Sequence, residues 1–248
     1  MQAASTPAKL IGKQVLRTNS FHRPNPSLFN YPGLNTQPFF DNHDKFPFVK
    51  EFESNLDEIK QEYLNLKTAY GEKDDYVKQQ NEHTLNKGGW RWMSFVSKGT
   101  LSNQEEFAKH CPVTSDLLLN KISQSGFKLM TGTPFSYTFF SVMQPGTSID
   151  PHYGASNLKL RCHFPLYIPN EAYLRVADDP RPWKEGKMMI FDDSYEHEAA
   201  NLSKDQERVL LLFDIWHPDL HADEIAQIQM MFKQVEDMIK FRQSKVKQ

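Results

Sequence analysis

Apolar residues recur at intervals of three and four along residues 48–67, where Phe48, Phe52, Leu56, Ile59, Tyr63 and Leu66 fall on one face. That spacing predicts a single amphipathic helix. Residues 71–88 are polar, run into Gly88-Gly89 and predict a loop. The aromatic run WRWMSFV at residues 90–96 predicts a strand. Residues 105–110 and 115–122 predict short helices separated by Pro112, with Ser102 or Asn103 and then Thr114 or Ser115 as N-caps.

The pattern changes at Phe135. Short β-rich runs at residues 135–143, 158–168, 172–176, 187–191 and 209–216 are punctuated by Pro-Gly, Asn and Asp-Pro. Several short strands with turn signals between them indicate an antiparallel sandwich or barrel. In the tail, Ile225, Ile228, Phe232, Val235 and Ile239 share one face of a helix predicted over residues 222–242, which is expected to pack on the domain. The predicted fold is mainly β: a jelly roll over about residues 90–220, flanked by N- and C-terminal helices. Residues 46–248 are expected to form one domain, preceded by an arm over residues 1–45.

Composition narrows the picture. A chain of 248 residues, 39% hydrophobic, can bury one full core. A net charge of −2 gives no general attraction to nucleic acid or an anionic membrane. No apolar run approaches the roughly 20 residues of a membrane span, so an integral membrane protein is not expected. Cys111 and Cys162 are too few for a disulfide framework and fit a reducing, cytoplasmic compartment. The first 40 residues lack Asp and Glu but carry Lys9, Lys13, Arg17 and Arg23. They read as a flexible arm wrapping the domain, or as an organelle import signal. Pro24, Pro26, Pro32 and Pro38 argue against the continuous helix that a signal would need.

Within residues 158–168 the side chains alternate. Leu158, Leu160, Cys162, Phe164 and Leu166 take one face, and Lys159, Arg161, His163 and Tyr167 the other. If the polar face looks into the barrel, its buried cations need anionic partners, and a bound carboxylate would fit the Arg161 fork. Arg208 is a second candidate of the same kind. His152 and His197 each stand at the end of a β-run beside acids and small residues, where a jelly roll opens. Two His and one carboxylate form the usual non-haem iron triad. Two residues after His152, however, stands Gly154 rather than an acid. The third ligand is therefore Asp192, Asp193, Glu196 or Glu198, or the position is left to solvent.

The blocks HYGASNLKLRCHFPLYIP, WKEGKMMIFDDSYEHEA and DIWHPDL resemble the aspartyl/asparaginyl β-hydroxylases, a branch of the Fe(II)- and 2-oxoglutarate-dependent dioxygenases. The resemblance is dense from about Ser141 to Leu220 and looser back to Trp90. It implies a cupin-like double-stranded β-helix with iron held by His152 and His197, and Gly154 at the carboxylate-free position. It places Ser141 and Arg208 on the distal carboxylate of 2-oxoglutarate, Arg161 and His163 near the carboxylate that chelates iron, and Trp90 over the substrate. The implied reaction uses Fe(II), 2-oxoglutarate and O2 to hydroxylate an unactivated C–H bond, releasing succinate and CO2. The substrate would be a small molecule, a peptide or a lipid. Two alternatives remain: a halogenase with chloride in the vacant position, and a non-catalytic cupin-like binding module.

Overall fold

The computed structural model describes residues 23–71, 85–102 and 104–246. Helices α1 (Phe48–Ser54) and α2 (Leu56–Tyr70) come first. The expected single helix is broken at Asn55, whose φ of −109° and ψ of 25° leave the helical region. The apolar face nevertheless runs through the break, and Phe48, Phe52, Ile59, Tyr63 and Leu66 are all buried. Of the predicted loop over residues 71–88, residues 72–84 lie outside the described residues, and Leu85–Lys87 is strand β1. Strands β2 (Trp90–Ser97) and β3 (Thr100–Leu101) follow.

Helix α3 (Gln104–His110) precedes α4 (Pro112–Asp116), which runs on through a π-type turn at Leu117–Lys121 to Ile122–Gln124. Pro112 starts this second helix, as its fixed φ and missing N–H permit. The cap is not the local Thr or Ser predicted. The buried Glu62 carboxylate of α2 accepts from Val113 N (2.6 Å), Thr114 N (2.8 Å) and Thr114 Oγ1 (2.6 Å).

The remaining strands are β4 (Thr138–Met143), β5 (Thr147–His152), β6 (Lys159–Tyr167), β7 (Ala172–Val176), β8 (Asp179–Pro182), β9 (Met189–Phe191), β10 (His197–Asn201) and β11 (Arg208–Trp216). Among the described residues they pair antiparallel into two sheets, ordered β3-β2-β4-β11-β6-β9 and β1-β5-β10-β7-β8. Both sheets are buried on their facing sides, as a jelly roll requires. The expected mainly-β fold with flanking helices is therefore correct.

Strand alternation sorts the larger sheet into two faces. Phe140, Val142, Leu160, Cys162, Phe164, Leu211 and Phe213 pack under α1 and α2. Phe52 stacks on Phe213 with ring centroids 5.0 Å apart. The opposite face carries Trp90, Trp92, Phe139, Leu210 and Leu212 toward Ile149, Leu174 and Val176 of the smaller sheet. The functional candidates lie in this second, inter-sheet space.

Residues 1–22 of the expected arm lie outside the described residues. Residues 23–45 wrap the domain: Asn25 N donates to Ser194 O, Ser27 N to Gly154 O and Phe29 N to Ala155 O. Helix α5 (Ala222–Val246) packs only in part. Ile225 and Ile228 are buried, and Phe232 meets Phe29 and Phe135. Val235 and Ile239, predicted to pack, are 41% and 50% exposed because the helix outruns the body it rests on. Among the described residues no helix is long and apolar enough to cross a membrane.

Candidate active site

His152 ends β5 and His197 begins β10, and the two are directly paired across the smaller sheet. Their ring centroids are 4.1 Å apart. His152 Nδ1 lies 2.8 Å from Asp150 O, and His197 Nδ1 lies 2.9 Å from Tyr195 O. A carbonyl can only accept, so each Nδ1 carries the proton and each Nε2 keeps its lone pair, the form in which imidazole binds a metal. Burial lowers both pKa values, that of His197 well below the ordinary range, with the neighbouring imidazole of His152 adding to the effect. Both rings are thus neutral at physiological pH, and the donor set fits a transition metal.

The four acids left open as third ligands are engaged elsewhere. Asp192 Oδ1 accepts from Ser194 N and Oγ at 2.9 and 2.5 Å. Asp193 Oδ2 faces Lys159 Nζ at 3.2 Å and Arg161 Nη1 at 3.1 Å. Glu196 and Glu198 both pair with Arg175, at 3.2 and 3.1 Å. Among the described residues no third His, Cys, Asp or Glu joins the histidine pair. Gly154 has its own steric reason. A Cβ there would fall 2.6 Å from Asp193 Cγ, while Gly154 N donates to Asp193 O at 2.7 Å, so only glycine lets the two segments approach this closely.

The basic side chains occupy the inward face predicted for them, but with different partners. Arg161 stands opposite Asp214 across β6 and β11. Arg161 Nε donates to Asp214 Oδ1 at 2.9 Å and Nη2 to Oδ2 at 3.1 Å, a bidentate pair. Lys159 Nζ bonds Asp214 Oδ2 at 3.0 Å and Phe135 O at 2.8 Å. Together with Asp193 these residues form a buried two-cation, two-anion cluster beside His152. The expectation that a bound carboxylate would offset the Arg161 charge is corrected: strand register places Asp214 opposite it, and the turn after β9 brings Asp193 to the same cations. Sequence analysis missed Asp214 in this role because its pairing is set by strand register, and Asp193 because it depends on how the turn after β9 folds back over β6.

Arg208 is different. It is fully buried, and no carboxylate among the described residues reaches it. Nη1 donates to Ser141 Oγ at 3.0 Å and Ser141 O at 3.2 Å, and Nε has no partner. Burial pulls its pKa down to about 9, so it remains a cation near neutral pH. Ser141 Oγ also accepts from Trp90 Nε1 at 2.8 Å. Both acceptor positions of that hydroxyl are then used, leaving its O–H to donate to a ligand. Trp90 also lines the opening beside Trp92, Phe139 and His152. His163, on the same inward face, is buried with Nε2 unpartnered. Burial, then Arg208, holds its pKa well below the ordinary value. Phe191 packs edge-on against both His163 and His197, with centroids 4.9 and 5.9 Å away.

The fold and this site define a jelly-roll protein with a pair of facing histidines and, in the same inter-sheet space, a buried arginine without an acidic partner. Residues 53–218 match the aspartyl/asparaginyl β-hydroxylase family. Mouse aspartate β-hydroxylase domain-containing protein 2 is 31% identical over 209 residues, covering 84% of this chain and 59% of that protein. Mouse aspartyl/asparaginyl β-hydroxylase is 34% identical over 198 residues, 78% of this chain and 25% of that protein. The chain therefore spans about three fifths of the first relative's length and a quarter of the second's. Among solved structures, the non-heme α-ketoglutarate-dependent epimerase SnoN from nogalamycin biosynthesis aligns with a TM-score of 0.42 and 9% identity, covering 67% of this chain and 81% of that one. A Pseudomonas putida prolyl-4-hydroxylase aligns with a TM-score of 0.39 and 12% identity, covering 68% and 98%. This chain belongs to the aspartyl/asparaginyl β-hydroxylase family.

Proposed function

We propose that the protein is an Fe(II)- and 2-oxoglutarate-dependent dioxygenase that hydroxylates an unactivated C–H bond. The substrate would be an Asp/Asn-type residue, an amino-acid-like small molecule or a lipid acyl group. The observation that carries this reading is Arg208, a buried cation without an acid, standing with Ser141 and His163 near the histidine pair. An unpaired buried charge costs several kcal/mol, and a dicarboxylate cosubstrate offsets that cost. When bound, the metal and the 2-oxoacid supply the oxidative chemistry, with release of succinate and CO2.

His152 and His197 hold the metal through Nε2. Arg208 and the Ser141 hydroxyl bind the distal carboxylate. The His163 Nε2–H and the Arg161 cluster face the carboxylate nearer the metal, and the aromatic wall with Trp90 admits substrate while excluding water. Both cysteines are buried thiols, which fits the proposed cytoplasmic setting.

An anaerobic visible spectrum of the Fe(II)-loaded protein, before and after 2-oxoglutarate, tests this. A metal-to-ligand charge-transfer band in the wild type, lost in His152→Ala, is expected. Its absence from folded, iron-loaded wild type would put the binding-module reading first.

A further inference from the structure

Trp183 follows β8 directly and is buried at 3% exposure. Its indole Nε1 donates to His163 Nδ1 at 3.2 Å. An indole nitrogen can only donate, so His163 Nδ1 must present its lone pair. In the neutral ring the proton is then on Nε2, the atom that is buried and without a partner. The other side of the same indole is in use as well, since the Arg208 guanidinium carbon sits 4.9 Å from the Trp183 ring centroid, within cation–π range. One side chain thus touches both donors of the anion pocket.

We propose that Trp183 is a positioning residue for the cosubstrate: its N–H fixes His163 as the Nε2–H tautomer, and its ring face seats Arg208. The two donors are thereby set in advance for the two carboxylates of one ligand. Without the indole N–H, His163 could turn its lone pair toward the ligand and repel a carboxylate. The identity of that ligand rests on the proposed function, whereas the tautomer does not.

The experiment is long-range ¹⁵N–¹H NMR of the metal-free protein, paired with 2-oxoglutarate affinity measured in the metal-loaded protein. Wild type should show His163 protonated at Nε2 alone. Trp183→Phe keeps an aromatic ring and deletes the N–H. It should give a mixture of tautomers and weaken 2-oxoglutarate binding by about tenfold, the loss of one oriented hydrogen bond to a charged group, with metal affinity unchanged. A wild-type His163 protonated at Nδ1 overturns the proposal outright, whether or not the variant folds. So does a Trp183→Phe protein with one unchanged tautomer and unchanged affinity, which would make Trp183 an ordinary core aromatic. If the tautomer shifts as expected but wild type binds no 2-oxoglutarate, the tautomer assignment stands and the dioxygenase reading falls.

Discussion

Two groups of buried cations share the inter-sheet space and are treated in opposite ways. Lys159 and Arg161 are met by Asp193 and Asp214 at 2.9 to 3.2 Å. Arg208 meets a hydroxyl, a carbonyl and an indole face. The first group is balanced by the protein's own carboxylates, whatever else it faces. The second is given no counter-charge by the described residues, which is what the proposed anionic cosubstrate would supply. A buried charge is therefore weak evidence of a binding site, whereas one lacking its counter-charge is strong evidence.

This contrast predicts different responses to substitution. Removing one acid from the complete cluster, as in Asp214→Asn, exposes two cations to a single remaining carboxylate. The loss should be about 3–5 kcal/mol, read as a lower denaturation midpoint. An unchanged midpoint would show that the cluster is not a closed unit. Arg208→Met, by contrast, removes a charge that nothing balances. The metal-free variant should melt no lower than wild type and gain up to about 2 kcal/mol. A marked loss of stability there would mean that Arg208 has a structural partner after all.

A pH-dependent effect concerns Asp192, whose carboxyl pKa burial raises to about 7. Unfolded, it titrates near 3.9. The folded chain thus holds a proton there that the unfolded chain has lost between roughly pH 4 and 7. The destabilisation from ionising this buried acid is absent below that window and complete above it. Asp192→Asn should accordingly gain stability relative to wild type as pH rises from 4 to 7, with a level difference beyond. Parallel stability curves across that range would contradict the assignment.

How much could be read in the sequence follows the same division. His152 and His197 were legible because strand ends beside small and acidic residues are local features. The inward face of β6 was legible from alternation for Lys159, Arg161 and His163, but not for Tyr167, which a register shift beside Pro165 turns to the helix side against Tyr63. The pairing of Arg161 with Asp214 was not, since it depends on which residues of β6 and β11 stand opposite. Trp183 carries no periodic signal because it lies just after a short strand, and only its proximity to His163 and Arg208 gives it a role. The break at Asn55 was hidden by an apolar stripe that continues through it. The capping of α4 by Glu62 was hidden because donor and acceptor are about 50 residues apart.

The most direct test of the central claim is a calorimetric comparison of two ligands on Mn(II)-loaded protein: 2-oxoglutarate and 2-oxopentanoate, the same carbon chain without the distal carboxylate. Wild type should prefer the dicarboxylate by about 100-fold or more, the worth of a charge-assisted pair in a buried site, and Arg208→Met should erase that preference. Equal binding of the two ligands by wild type, or a preference that survives the loss of Arg208, would contradict the assignment of this cation as the cosubstrate anchor.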